Sequence, residues 1–418
     1  MDEYDVETAR ALTPTVFFGY LVIPPPIQGY SMAVRPILYV ARMVPGYRIP
    51  VLEKLNDRLD GRLVVCAGLP PSTSSFNFMM PEEKKGFRSI ALKNRWLFGE
   101  RMHAQPIRRV FREIGDPAVV LAEESPRSVT LPFLLRHARK RGAGRVLWGH
   151  FSSLKRDFDP KRHPQDRYRV ALARSVEACA CYTPGVADLL RPYVPEENLF
   201  VAPNTIDMAP MFEQYNILAT EGKAAVRRRL SLRADVPVLV FLGRLIPEKG
   251  TSMLLETFAR LRTHTPAELL IIGDGPERAA MESYVAGHAI SGVRFLGPLF
   301  EAAAPYLFAS DVMLMPGYLG LVINHSFAFG LPIVSMRKPV GMASHSPEVE
   351  YVRSGENGLL CDGEGAEDLY RGVKTVLADQ NRFSMNALNT ARNELTVDRM
   401  VDGLYDAIQH AALLRLQP

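Results

Sequence analysis

Cysteine is scarce in this chain: Cys66, Cys179, Cys181 and Cys361 are the only four among 418 residues. That is too few for a disulfide framework, and no His or Cys cluster has the spacing of zinc ligands. No run approaches the roughly 18–20 uninterrupted apolar residues that a membrane span needs. The first residues, MDEYDVETAR, are acidic and polar, the wrong chemistry for a secretory signal. Internal repeats and low-complexity tracts are also missing. These absences lead to the expectation of a protein working in a reducing cytoplasm.

What is present is apolar mass. Apolar residues make up 47% of the chain, and a single domain rarely grows beyond about 250–300 residues, so two cores are expected. Charge is divided unevenly between the halves. Residues 1–206 hold 30 Lys/Arg against 21 Asp/Glu, a net of +9, and the remainder holds 20 against 24, a net of −4. Within 84–145 the count is 15 basic against 5 acidic. A first half this basic suits an anionic partner: nucleic acid, a membrane surface or a phosphorylated acceptor. Solvated, Arg-rich helix faces are the alternative.

From residue 236 to 380 the pattern is regular. VPVLVFLG, AELLIIG, VRFLG, DVMLMPG, LPIVSM and NGLLCD read as short strands, separated by segments of helical period such as GTSMLLETFARLR and PERAAMESYVAG. This alternation predicts a parallel sheet covered on both faces. PTVFFGYLVI, RLVVCAG, PAVVLAE, RVLWGH, ACACYT and NLFVAPN are the candidate strands of the first half. Stretches 70–86 and 151–168 are polar and aperiodic and read as loops. The boundary is expected just after VAPNTID, giving domains 1–206 and 207–395, with 396–418 as a final helix. Two doubly wound domains in tandem leave a cleft lined by the carboxyl ends of their strands.

Three strand ends in the second half carry chemistry. In FLGRLIPEKGTSMLLE, Gly243 turns the chain and Arg244 and Lys249 bracket a helix start, a combination suited to a diphosphate, with an ordinary helix start flanked by solvated cations as the alternative. In IIGDGPER, Gly273, Asp274 and Gly275 form a tight turn before Pro276, which is expected to open the next helix. Gly320, Leu321 and Val322 make a third glycine-to-helix start. PGYLGLVINHSFAFGLPIV then poses a question, because a polar pair, Asn324-His325, sits inside its helical run.

GRLIPEKG, IIGDGPE, VRFLGPL, ASDVMLMPG, FGLPIV and SGENGLL resemble, in order and spacing, the C-terminal domain of GT-B glycosyltransferases, above all the retaining family 4 (glycosyl transferases group 1). The likeness covers 236–380; RVLWGH, CYTPGVADLL and VAPNTID carry a looser one in the first half. It implies an α/β chain of two Rossmann-like domains, with a nucleotide-diphosphate sugar held by the second and an acceptor by the first. The last helix, near 396–414, would cross back to the first domain. Where the family carries a pair of glutamates, this chain has Gly317 and His325. The resemblance therefore gives His325, with Asn324 beside it, the ribose contact. A buried histidine satisfied by a backbone carbonyl is the alternative.

The segment SHSPEVEYV, near the donor by the same resemblance, offers His345, Glu348 and Glu350; Glu350 keeps the family's spacing to Gly355. His150, at the end of RVLWGH, matches a histidine that the family places beside the transferred sugar. The candidate catalytic residues are therefore His150, Arg244 and Lys249. The candidate donor-binding residues are Gly243, Gly273, Asp274, Gly275, Gly320, Leu321, Val322, Asn324, His325, Glu348 and Glu350. Asp157-Phe158-Asp159 spells the D-x-D of metal-binding transferases but lies in a basic polar loop and is read as accidental. No metal and no resident cofactor are expected.

The implied reaction is sugar transfer, with retention, from a nucleotide-diphosphate sugar to a hydroxyl of a glycan, lipid-linked or small-molecule acceptor. The basic, amphipathic stretches 106–115 and 131–142 add an anionic membrane surface as a candidate partner and a peripheral position on its inner face as a candidate location. No nucleic-acid-binding motif is recognisable. A catalytically silent GT-B-like subunit that binds nucleotide or regulates a partner is the alternative, on the strength of the two replaced glutamates.

Overall fold

The computed structural model describes residues 35–68, 86–363 and 365–415. Short runs, apolar and buried on both faces in the central strands, build two parallel sheets. The first contains β1 (Ile37–Ala41), β2 (Leu63–Gly68), β3 (Arg88–Leu92), β6 (Val119–Glu123), β7 (Gly144–Gly149), β8 (Ala178–Cys181) and β9 (Leu199–Val201), in the order β3-β2-β1-β6-β7-β8-β9. A small antiparallel ribbon, β4 (Arg95–Leu97) and β5 (Met102–Ala104), follows β3. The second sheet contains β10 (Val238–Leu242), β11 (Glu268–Ile272), β12 (Val293–Gly297), β13 (Val312–Leu314), β14 (Ile333–Met336) and β15 (Gly358–Cys361), in the order β12-β11-β10-β13-β14-β15. Strand order reverses between β1 and β6 and again between β10 and β13. Loops at the carboxyl ends beside such reversals are where doubly wound sheets bind ligands.

All six strands expected in the second half are present. The first half is as expected only in part, and the second departs at one turn. PTVFFGYLVI and most of 70–86 lie outside the described residues. The central strand β1 and the edge strand β3 were not anticipated. Residues 151–168 are not loop throughout, because a helix starts at Pro164 and runs to Ala173. Pro276 precedes the helix Arg278–Gly287 rather than opening it.

The chain leaves the first core after Ala202 and enters the second at Ile206. It returns once. The final helix, Val397–Leu413, places Met400, Val401, Leu404, Ala407, Ile408 and Ala411 in the first core, beside Tyr39, Val146 and Trp148. Backbone contact is close enough there that a β-carbon at Gly403 would collide with the Val201 carbonyl. Thr205 Oγ1 donates to the Leu395 carbonyl at 2.7 Å, so the outgoing and returning segments lie side by side.

Leu404 is fully buried between the helix and the first sheet. Leu404→Ala is expected to cost about 2–5 kcal/mol. Both tryptophans, Trp96 and Trp148, lie in the first half, so urea unfolding followed by tryptophan fluorescence reads the loss directly. An unshifted midpoint would mean that the helix does not hold this core.

Candidate functional site

At the carboxyl end of the second sheet, three loops rest backbone on backbone. Gly243 N donates to Ile272 O at 3.0 Å and Leu245 N to Asp274 O at 2.9 Å. A β-carbon at Gly273, whose φ is 135°, would collide with the Gly243 carbonyl. Gly317 N donates to Lys249 O at 3.1 Å and Tyr318 N to Glu248 O at 2.8 Å. At Gly317 a β-carbon would meet the Glu248 carbonyl, so this packing has no room for a glutamate. Glycine at this position and close apposition of the loops are one structural fact.

Two cations occupy this junction. Lys249 donates from Nζ to the Tyr318 carbonyl at 2.6 Å and lies 4.9 Å from the Tyr318 ring centre. Burial pulls its pKa down to about 8. Arg244 is exposed. Neither forms an ion pair among the described residues, whereas Arg278 nearby is bracketed by Asp274 and Glu282. Asp274 is occupied with its own turn, accepting from Gly275 N at 2.7 Å.

The helix Val322–Ala328 begins just after Gly320 and Leu321 and has no side-chain cap. His345 fixes the approach to it. Its Nδ1 accepts from Leu319 N at 3.0 Å and its Nε2 donates to Met336 O at 2.8 Å, which defines a neutral tautomer. Adjacent helix positions point about 100° apart, and the Asn324-His325 pair divides accordingly. Asn324 is buried and donates to Thr205 Oγ1 at 2.6 Å, toward the first half. His325 is half-buried, burial holds its pKa down to about 4, and it makes no hydrogen bond among the described residues. Its imidazole is therefore neutral and available.

Three residues expected at the donor have their polar groups engaged elsewhere. Asn324 reaches Thr205, for the geometric reason just given. Glu350 accepts from Thr183 Oγ1 and from Gly185 N, both at 2.8 Å, at the start of the helix Pro184–Leu190 in the first half. Glu348, buried, accepts from Asn204 Nδ2, and Asn204 Oδ1 in turn accepts from Arg48.

Arg48, Asn204 and Tyr182 were not singled out in the sequence, yet they line the first sheet's side of this junction. Arg48 is buried, with its guanidinium 4.7 Å from the Trp148 ring centre and 5.6 Å from that of Tyr182. His150 follows β7, its Nδ1 accepting from Ser152 N at 3.4 Å and its ring edge-on to Tyr182 at 6.2 Å. Burial, and then the Arg169 cation, pull its pKa down to about 4, so it too is neutral. Phe151 beside it has a φ of 49°, a strained conformation for a bulky side chain. Under this turn lies Glu124, which burial pushes up to about 7 against the pull of Arg169 at 3.3 Å.

Asp159 caps the turn that follows it, accepting from Lys161 N at 2.8 Å and Arg162 N at 3.1 Å. Among the described residues no group of three or more His, Cys, Asp or Glu is placed to hold a metal ion, and no helix is long and apolar enough to cross a membrane.

Residues 236–379 match the family described as glycosyl transferases group 1. The lipopolysaccharide core biosynthesis glycosyltransferase LpsE of Rhizobium meliloti is 30% identical over 264 residues, 60% of this chain and 71% of that protein. The GDP-mannose-dependent alpha-(1-6)-phosphatidylinositol monomannoside mannosyltransferase of Mycolicibacterium smegmatis is 32% identical over 180 residues, 39% of this chain and 44% of its own length. Among solved structures, Anabaena HepE in complex with UDP superposes with a TM-score of 0.65 at 17% identity, covering 90% of this chain and 99% of that one. Sucrose-phosphate synthase from Thermosynechococcus elongatus superposes with a TM-score of 0.60 at 18% identity, covering 91% and 99%. The architecture is that of GT-B glycosyltransferases, and the chain belongs to the glycosyl transferases group 1 family.

Proposed function

We propose that this protein transfers a sugar from a nucleotide-diphosphate sugar to an acceptor hydroxyl, with the donor on the second sheet and the acceptor on the first. One observation carries the reading: Arg244 and Lys249 stand at a strand's carboxyl end, beside glycine turns, without a carboxylate partner among the described residues. Buried or clustered cations without counter-charge suit an anionic ligand, and a diphosphate supplies both charge and oxygen acceptors. The UDP bound by HepE supports the same class of donor, and LpsE is a glycosyltransferase of lipopolysaccharide core biosynthesis.

In this reading, which is that of the retaining family 4, the bond from the anomeric carbon to the diphosphate oxygen breaks and a bond to the acceptor oxygen forms on the same face. The acceptor's proton passes to the departing diphosphate. Arg244 and Lys249 stabilise the charge that develops there, which is the electrostatic task a metal performs in other transferases. His325 hydrogen-bonds the donor ribose as a neutral imidazole. His150, also neutral, orients the transferred sugar rather than delivering a preformed positive charge. A lipid-linked acceptor on an anionic membrane is a further part of the proposal, supported by Phe133, 62% exposed on a helix that also carries Arg136, Arg139 and Lys140. The replaced position Gly317 keeps a catalytically silent subunit in play; release of nucleoside diphosphate from a panel of donors, with and without acceptor, separates the two.

Arg244→Ala and Lys249→Ala are each expected to weaken UDP binding in titration calorimetry by about tenfold or more, since a hydrogen bond to a charged group contributes roughly 1.5–3 kcal/mol. Unchanged affinity in both would remove the donor from this loop.

The lowered pKa of Lys249 adds a pH signature. Below about pH 8 the ammonium is charged and binds; as pH rises through that value it deprotonates and the diphosphate contact is lost. UDP affinity should therefore decline above about pH 8 in the parent protein. The decline should be flatter in Lys249→Ala, and an identical pH profile in the two would exclude Lys249.

Activity should survive EDTA, because the two cations serve the diphosphate. Loss that returns on adding Mn²⁺ or Mg²⁺ would overturn the metal-free reading.

A further inference from the structure

The turn that follows β1, Gly46–Arg48, lies at the reversal of strand order in the first sheet, and Tyr47 stands 43% exposed on it. The ring is not a loose surface side chain. Arg48 lies 5.3 Å from its centre. That guanidinium is itself locked between Trp148, Tyr182, Asn204 and the Met400 sulfur at 3.3 Å. A cation–π contact anchors the ring while a large part of it remains open to solvent.

From Arg48 a chain of contacts runs through Asn204 and Glu348 to the segment whose Ser346 N donates to Leu319 O at 3.0 Å, beside Tyr318. Burial first, and then Glu348 and Tyr47, raise the pKa of Tyr318, and Glu348 also raises that of Tyr47, so the two phenols and this carboxylate lie within electrostatic reach of one another. Glu348 is 1% exposed; one oxygen accepts from Asn204, and the other, Oε2, has no hydrogen-bond partner among the described residues. A buried carboxylate oxygen left without a donor costs free energy unless something supplies one.

A fixed aromatic face, phenol hydroxyls and a carboxylate lacking a donor form the combination that matches a sugar ring, which offers an apolar C–H face and a rim of hydroxyl donors. We propose that Tyr47 is a stacking platform for a pyranose ring of the acceptor, so that the acceptor ends in carbohydrate. The proposal rests on the glycosyltransferase reading above and names the substrate class at the first sheet's side of the same site. Tyr318 and Lys249 then connect the two substrates: the Tyr318 phenol lies within electrostatic reach of Glu348 and Tyr47, and its carbonyl and ring both contact the ammonium assigned to the donor diphosphate.

Saturation-transfer NMR on the full chain tests this, with methyl α-glucopyranoside, methyl α-galactopyranoside and methyl α-mannopyranoside as probes, each with and without UDP. Transfer to the ring C–H protons of at least one glycoside is expected in the parent protein. It should be retained in Tyr47→Phe and fall several-fold in Tyr47→Ala, with UDP affinity by calorimetry unchanged across the three. Equal transfer in Tyr47→Ala, or no transfer from the parent to any glycoside, overturns the platform. So does a loss of UDP affinity in Tyr47→Ala, which would assign the ring to the donor base. A parent protein that binds none of UDP, GDP and TDP yet shows Tyr47-dependent transfer would sink the donor reading and leave the platform standing.

Discussion

A carboxylate that crosses between the two halves sets the geometry on which the site depends. Glu348 comes from the second half, Asn204 and Arg48 from the first, and the asparagine stands between the two charges, donating to one and accepting from the other. A buried carboxylate or guanidinium left alone is costly, and removing either partner of such a set exposes the other to that cost. The loops that carry Lys249 and Tyr318 therefore meet the loops that carry Tyr47 and His150 in one defined arrangement. Thr183 and Gly185 repeat the device nearby, both bonded to Glu350.

Against that background the electrostatics of the junction are unusual in one respect. Several buried cations elsewhere are paired: Arg145 with Glu177, Arg227 with Asp311, Arg169 with Asp166. Arg244 and Lys249 are not paired among the described residues, and the histidines around them, His150, His325 and His345, are all held neutral by burial. Positive charge on the second sheet's side of the junction is thus concentrated at one strand end, and the surrounding imidazoles add hydrogen-bonding capacity without adding charge.

Local signals made the second sheet legible. Each of its strands is a short apolar run ended by glycine or a polar turn, and burial on both faces makes such runs continuous. β1 escaped notice because it has only five residues behind Pro36, while the longer apolar run at 14–23 drew the assignment. The glycine turns and the two unpaired cations were also visible, since their meaning is local. Arg48, Asn204 and the true partners of Glu348 and Glu350 were not. Those contacts join residues more than a hundred positions apart, and nothing in the spelling of either segment announces the other. Asn324 and His325 part company for a simpler reason: neighbours on a helix face different ways, so Asn324 turns to Thr205 in the first half while His325 does not.

The side-by-side passage of the chain at Thr205 and Leu395 has a mechanical consequence. Two bodies joined by one strand of backbone can swing and twist freely; joined by two well-separated strands they hardly move. Joined by two adjacent strands, here stapled by a single hydroxyl at 2.7 Å, they keep one easy degree of freedom, rotation about the line through both crossings. Opening of the cleft would then resemble a door on a short hinge, with Asn324, bonded to that same hydroxyl, set at the pin and the substrate loops carried on the moving edge.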